Sequence, residues 1–551
     1  MLPLFFFRPY FKYDEVMNFL DSFQQSLSSL TIESARQAMG PMHLTTIINF
    51  DHPSNLAHGD YSCNLALIYS KNINRPAIDL ANEIISELNK RIPASSIANY
   101  INKIESAGPG FINFHLSKDF YQQSLEEIVN KGDEFGKNMN LKGKDILLEH
   151  SSPNLFKPFH IGHLVNNVIG ESIGRILKNS GAKVITMTYP SDVSLGIAKA
   201  VWGVMDKGWE SELTLPKLGE AYAWGTKRYE EDEGVKSRVI EINLNIYNKV
   251  LETKEWKVYV NGKSLSFEHF VEITKKLGSE FNEVVYESDT EVVGKKIVLE
   301  HVSDVFEKSD GAIIFRGSSE GLYDDVFINS AGFGTYLAKD VGLLSIKFSK
   351  FKFDSSVTIT DIEQKSHFEL VKLAVSKFEK EWADKSNFLQ HGRLRLTEGR
   401  ISSRMGNVPL AEELIGSMRD EIMTKMKEDL KSEEIAEQVA IGALKYPILR
   451  TSRGQNMVFD MNKALSTEGD SGVYLQYAHA RANSLLEKAK IAQVRSLAHG
   501  QASGNSQSTE PQLVEKLLYR FPEVIEHAQV DYAPHHITTY LTELASAFNN
   551  F

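Results

Sequence analysis

"KDILLEHSSPNLFKPFHIGHLVNNVIGESIGRILKNSGAKVITMTYPSD", residues 144–192, decides how the chain is read. "KDILLEHSS" (144–152) is a short apolar run closed by polar residues, the pattern of a buried strand. "GHLVNNVIGESIGRILKNSG" (162–181) has apolar residues at helical spacing and a glycine stop. "AKVITMTYPSD" (182–192) is a second strand. Strand, helix and strand in one contiguous stretch predict a parallel βαβ unit, whose ligands bind at the carboxyl ends of the strands.

His160 and His163 stand three residues apart, between the first strand and the helix. Three readings are open: metal ligands, packing residues, or groups that handle a phosphate. A metal site needs more ligands, and no Cys-rich or His-rich segment is near. A strand end that turns into a helix points backbone N–H groups and the positive end of the helix dipole at an anion. Imidazole donors there can stabilise charge that builds on a phosphate during transfer. Lys157 adds a positive charge, and Gly162 permits close approach of a planar base.

The chain has 551 residues, more than one core can organise, so two to four domains are expected. A net charge of −11 argues against a generally basic protein that coats nucleic acid, but leaves room for a local basic face. Cys63 is the only cysteine, which excludes a disulfide framework and fits a reducing, cytoplasmic compartment. The apolar start "MLPLFFFRPYF" lacks the basic segment and cleavage site of a signal peptide, and no stretch is long and apolar enough to span a bilayer.

Residues 11–36 are predicted to be helical, and "HGDYSCNLALIYSK" to open a second helix at its Gly-Asp turn. "AIDLANEIISELNKRI" is an amphipathic helix, and "IESAGPGFINFHLS" reads as strand, turn and strand. These elements make an α/β module over residues 1–125. A Rossmann-like catalytic domain is expected over 140–410, with a helix-rich insertion at about 200–310. Strand signals return after the insertion in "GAIIFRG", "DDVFINS" and "SSVTITD". Residues 411–551 read as an α-helical bundle. The expected fold class is therefore a multidomain α/β protein.

No Walker loop and no dinucleotide fingerprint occurs. A second candidate phosphate site is "EGRISSRMGN" (398–407), with Arg400 and Arg404 flanking Ser402 and Ser403. Alone it reads as a solvated basic turn. Paired with "HIGH" it resembles the class I aminoacyl-tRNA synthetases, in which the first motif binds ATP and the second clamps its phosphates. "RISSR" departs from the common lysine-rich form, since an arginine fork is not a lysine point charge.

"EHSSPNLFKPFHIGHL", "YLQYAHARANSLL" with "EGDSG" before it, "AGPGFINFHLS" and "GDYSCNLAL" resemble the arginyl-tRNA synthetases, in that family's order along nearly the whole chain. The resemblance implies ATP-dependent activation of arginine and its transfer to the 3′ end of tRNA(Arg), with Mg²⁺ accompanying ATP. It implies that His160, His163, Lys157, Arg400 and Arg404 stabilise the reacting phosphates. Gly162, His367, Ser402 and Ser403 join His160 and His163 in binding ATP. Glu149, Asn154, Tyr336, Asp340 and Gln364 bind arginine. Tyr336 and Asp340, four apart in "TYLAKD", share a helix face, and a carboxylate suits a guanidinium. The N-terminal module is expected to touch the tRNA elbow and the helical domain to read the anticodon. A monomer is expected. "PSDVSLGIA" (190–198) departs from the family's glycine-rich run but keeps Asp192. The helical domain is expected to continue a few turns past "FNNF". Lysine activation, a small-molecule nucleotidyltransferase and a silent RNA-binding paralogue are the competing readings.

Overall fold

A computed structural model describes residues 18–40, 48–397, 410–428, 431–498 and 510–551. Contacts divide the chain into two compact units. One comprises Met1–Lys137, Asn483–Val524 and Glu543–Phe551; the other comprises Asn138–Ala482 and Ile525–Thr542.

In the first unit, strands β1 (Phe50–Asp51), β2 (Tyr61–Cys63), β3 (Ile101–Ala107) and β4 (Phe111–Leu116) form an antiparallel sheet in the order β1-β2-β4-β3. Helices α1 (Phe19–Met39), α2 (Leu65–Ser70), α3 (Ala77–Arg91) and α4 (Lys118–Lys131) belong to the same unit. Leu80, Ile84 and Leu88 recur at helical spacing on α3 and are buried with Phe23 and Phe114. Each such side chain contributes roughly 1.5–3 kcal/mol by leaving water. The helix expected directly after Gly59-Asp60 is preceded by β2. Tyr61 pairs with Phe114, a long-range partner that no local pattern announces. Glu523 belongs to this core: Tyr61 donates its hydroxyl to it at 2.6 Å and Gln24 donates its amide at 2.5 Å.

The second unit is built on a five-stranded parallel sheet. Its strands are β5 (Asp145–Glu149), β6 (Lys183–Thr188), β7 (Glu283–Val284), β11 (Ser355–Asp361) and β12 (Ser386–His391), in the order β12-β11-β5-β6-β7. Every adjacent pair runs parallel, as the contiguous βαβ stretch predicts. β5 is buried from Ile146 to Glu149, so it reads as an unbroken apolar run rather than an alternation. Helix α5 (Ile161–Asn179) buries Leu164, Val165, Val168, Ile173, Ile176 and Leu177, and the chain turns at Gly181 with φ +88°. From β5 the chain winds through β6 to the β7 edge, then returns to β11 on the other side of β5. The switch in winding lies between β5 and β11, where a doubly wound sheet opens a crevice at its carboxyl ends.

The 200–310 stretch contributes helices, one strand of the parallel sheet and the first strand of a second sheet. Helices α6 (Leu195–Asp206), α7 (Leu215–Glu231), α8 (Glu233–Tyr247) and α9 (Lys254–Lys276) precede β7, and α10 (Glu287–Glu300) follows it. β8 (Glu307–Ser309), β9 (Ala312–Arg316) and β10 (Asp324–Ile328) form a separate antiparallel sheet, so "GAIIFRG" and "DDVFINS" are strands outside the parallel one. Helix α11 (Tyr336–Lys350) crosses α10 at small residues. A Cβ on Gly294 would lie 1.8 Å from the Ala338 carbonyl oxygen, and one on Gly342 would lie 2.0 Å from that of Thr290. Only glycine allows these two backbones to meet. Helix α12 (Lys365–Ser376) follows β11. Ala411–Lys425 and Glu433–Arg450 are helices, as expected of the stretch from residue 411.

Candidate active site

The chain between β5 and α5 is held in a conformation that non-glycine residues avoid. Ser151 has φ +58° and Phe156 φ +65°. Each such residue costs of order 1–3 kcal/mol unless its surroundings impose it, and such strain gathers at working sites. The surroundings here do impose it. Ser151 N–H donates to Asn166 Oδ1 at 2.7 Å, and Thr188 Oγ1 donates to the Ser151 carbonyl at 2.9 Å. Asn167 Nδ2 donates to Ser151 Oγ and to Ser279 Oγ, each at 3.0 Å. Asn166 Nδ2 reaches the Ile359 carbonyl at the end of β11 at 2.8 Å. Two adjacent asparagines of α5 thereby tie the loop to its helix and to the neighbouring strand. Two consecutive amides in an apolar helix are the only mark these residues leave in the sequence.

The two histidines face each other at the head of α5. His160 is its N-cap and accepts the Gly162 N–H on Nδ1 at 3.0 Å. His163 Nδ1 accepts the His160 N–H at 3.4 Å, closing a reciprocal cap. The rings stack with centroids 3.8 Å apart and planes 19° apart. Burial, with Lys157 adding to it, lowers the His160 pKa. Burial, then His160 and Lys157, pushes His163 down to about 3. Both imidazoles are therefore neutral at pH 7. With Nδ1 accepting, each carries its proton on Nε2. The cap thus leaves two neutral N–H donors at the positive end of a helix. A Cβ at Gly162 would press on His160, 2.9 Å from its Cε1. Lys157 is exposed, its ammonium 5.0 Å from the centre of the Tyr222 ring on α7. Arg400, Ser402, Ser403 and Arg404 lie outside the described residues.

The residues expected on the arginine side divide between buried and open positions. Glu149 ends β5 and pairs through Oε2 with Lys347 of α11 at 2.5 Å, both side chains buried. Asn154 is exposed and forms a parallel bridge with Ser191 beyond the end of β6. Tyr336 begins α11 and is 58% exposed. Asp340, one turn on, has Oδ2 2.5 Å from His367 Nε2. The sequence reading places His367 with ATP; the geometry sets its ring against the Asp340 carboxylate. Gln364 is exposed, and its side chain accepts the Asp361 N–H at 3.3 Å, capping the turn after β11. Asp192 is wholly buried and fully engaged, accepting from Lys263 at 2.6 Å, from Tyr259 at 3.1 Å and from Ser288 N and Oγ.

Burial, and then the charges of Glu287, Asp340 and Glu149, push the Tyr189 phenol far above its ordinary range. The charges of three carboxylates, from α10, α11 and β5, thus bear on one buried hydroxyl, which shares a hydrogen bond with Thr290 Oγ1 at 2.6 Å. Glu287 is itself held by Lys339 Nζ at 2.7 Å, in a buried pair. Burial opposes the Lys339 charge, but Glu287 prevails and the ammonium is held above its usual pKa. Tyr189, Glu287 and Lys339 were not foreseen, because their partners are far away in sequence.

Neutral imidazole donors at the head of α5 and the Asp340 carboxylate on α11 are the group types that suit an adenylate-forming enzyme for a cationic substrate. Fold and site together define a class I aminoacyl-tRNA synthetase, a ligase that uses ATP. Residues 124–461 match the profile described as tRNA synthetases class I (R), catalytic domain. Residues 18–116 match the arginyl tRNA synthetase N terminal domain, and 475–551 the DALR anticodon binding domain. The arginine–tRNA ligase of Treponema denticola is 30% identical over 525 residues, covering 92% of this chain and 87% of that protein. That of Borreliella burgdorferi is 29% identical over 525 residues with the same coverage. The solved Thermus thermophilus arginyl-tRNA synthetase shares the fold with a TM-score of 0.73 at 23% identity, over 95% of this chain and 91% of that one. The Plasmodium falciparum arginyl-tRNA synthetase gives 0.73 at 20% identity, over 98% and 93%. The chain belongs to the arginyl-tRNA synthetase family. It is an arginine–tRNA ligase, with ATP, arginine and tRNA as its substrates. Among the described residues, no helix is long and apolar enough to cross a membrane.

Proposed function

We propose that the reaction runs in two steps across the β5–α5 crevice. The arginine carboxylate attacks the α-phosphorus of ATP, the bond to the pyrophosphate oxygen breaks, and arginyl-adenylate forms. A ribose hydroxyl at the tRNA 3′ end then attacks the adenylate carbonyl, and AMP leaves. The protein's share is positioning and charge stabilisation. The Nε2–H groups of His160 and His163 donate to the phosphate oxygens as charge builds on them, with Lys157, Arg400 and Arg404 supplying positive charge. Gly162, Ser402 and Ser403 line the nucleotide. Asp340 and Tyr336 receive the guanidinium, while Glu149, Asn154 and Gln364 hold the amino-acid end. His367 is read with Asp340 rather than with the nucleotide. Mg²⁺ would arrive with ATP and neutralise its phosphates.

The observation that carries this reading is the reciprocal cap of His160 and His163, which sets their Nε2–H donors at the head of α5, where burial lowers the pKa of both rings. By the same reading, residues 1–125 contact the tRNA outside its anticodon, 140–410 carry the chemistry, and 411–551 supply the anticodon-reading helices. The protein works as a monomer in the cytoplasm. ATP–pyrophosphate exchange with each of the twenty amino acids, with and without tRNA, tests it. Arginine-dependent exchange is expected; exchange with lysine alone overturns it.

A further inference from the structure

The contact between His367 and Asp340 joins two helices through one half-buried carboxylate. Asp340 lies in the second turn of α11 and His367 in the first turn of α12. Nε2 stands 2.5 Å from Oδ2, with side chains 25% and 14% exposed. Apolar packing fixes the ring from the other side. Phe368 meets it edge-on at 5.0 Å and 84°, and is itself stacked on Phe388 of β12 at 4.6 Å. The charged groups acting on the ring are Asp340 from α11 and Asp325 from β10. On its own helix, Lys365 and Glu369 are exposed and lie 3.8 Å from each other. Burial opposes the charge of His367, but the Asp340 hydrogen bond and charge outweigh it and raise the pKa.

We propose that His367 is a positioning residue of the arginine pocket which, when protonated, competes with the substrate guanidinium for Asp340, so that arginine binding expels the imidazolium proton to solvent. This rests on the reading that Asp340 receives the guanidinium. A guanidinium is charged at every accessible pH. An imidazolium and a guanidinium on one half-buried carboxylate repel each other, and only the imidazole can shed its charge. In its neutral form with the proton on Nε2, the ring still donates to Oδ2. It thereby keeps the carboxylate in place and leaves Oδ1 to the substrate. Free and bound states then differ by about one proton at His367, and linkage fixes the sign. Arginine affinity rises with pH through the His367 pKa of the free enzyme, by at most about tenfold per pH unit, and levels off above it.

The test uses the full chain and arginine alone, with binding followed by calorimetry between pH 6 and 8 in buffers of different ionisation enthalpy. Expected for the native protein is release of up to about one proton per arginine bound at the acid end, falling as pH rises through the His367 pKa of the free enzyme. His367→Gln keeps a donor for Asp340 but cannot titrate, so its arginine affinity is expected to be level with pH and its proton release to vanish. His367→Ala, which cannot hold the carboxylate, is expected to bind arginine more weakly than His367→Gln at pH 8. Proton release that persists unchanged in His367→Gln, or none in the native protein, overturns the proposal. Asp340→Asn separates the two layers. Unchanged arginine affinity in Asp340→Asn would remove the guanidinium reading itself. Weakened arginine binding there, with native pH dependence in His367→Gln, would remove only the part assigned to His367.

Discussion

Lys347 Nζ lies 2.5 Å from Glu149 Oε2, and both side chains are buried. The pair joins the end of β5 to the last turn of α11, the helix that carries Tyr336 and Asp340. Lys347 also donates to Thr358 Oγ1 at 3.1 Å and Ser356 Oγ at 3.3 Å, both on β11. It thus holds the two strands that flank the switch point against one helix. Removing one partner leaves a buried charge without compensation, which costs about 3–5 kcal/mol. Lys347→Met should lower unfolding stability by that order in urea titration. Glu149→Gln with Lys347→Met should recover much of the loss. A double variant no more stable than Lys347→Met would show that the loss does not come from a stranded Glu149 charge.

His160 performs two tasks on different atoms, and one substitution separates them. Asparagine is as good an N-cap as any residue, so His160→Asn can still accept the Gly162 N–H. It lacks the Nε2–H donor. The arginine-dependent exchange rate should fall roughly 10²–10³-fold, the usual effect of losing one donor to a charge-developing oxygen. Thermal stability should stay near native. A variant that retains native exchange would show that the ring faces no reacting oxygen.

The βαβ core was legible because its signals are contiguous: an apolar strand ending at Glu149, a capped helix, a glycine turn at Gly181 and a second strand. The position of His160 and His163 followed from that alone. Sheet order was not legible, since β5 pairs with β11 about two hundred residues later, and no local pattern encodes a return across the sheet. The same holds for Lys347 with Glu149 and for Lys339 with Glu287. A lysine in "LLSIKFSK" looks like a solvated charge until the sheet beneath α11 is known. The assignment of Asp340 to the arginine side came from resemblance and side-chain chemistry. Its contact with His367 came only from folding two distant helices together.

His150 makes the fold sensitive to acid. It is 1% exposed, its Nδ1 is 2.7 Å from Ser151 Oγ, and its Nε2 has no hydrogen-bond partner among the described residues. Burial, with Lys178 adding to it, pushes its pKa down to about 3. The unfolded imidazole takes up a proton near pH 6.5. The stabilising effect of a neutral His150 is therefore fully present above about pH 6.5 and is lost as pH falls towards 3. Between these limits the unfolded state holds one more proton at this site, so stability falls by up to about 1.4 kcal/mol per pH unit. His150→Gln removes that contribution. In urea titrations from pH 7 to pH 4.5, the gap between the native protein and the variant should narrow as pH falls. A gap that stays constant would mean that His150 is protonated in the fold.

Asp340 and Glu287 are both carboxylates near Tyr189, yet they should respond differently to neutralisation. Glu287 is closed in a buried pair with Lys339, whereas Asp340 shares an oxygen with a histidine that can lose its charge. A hydrogen bond to a charged group contributes about 1.5–3 kcal/mol, so Asp340→Asn should weaken arginine binding about 10–100-fold. The KM for ATP should hardly move. Glu287→Gln strands the Lys339 ammonium instead, and its main effect should be a loss of several kcal/mol in stability. Measuring arginine and ATP KM values beside urea midpoints for both variants distinguishes the roles. Equal loss of arginine and ATP binding in Asp340→Asn would place that carboxylate outside the amino-acid pocket.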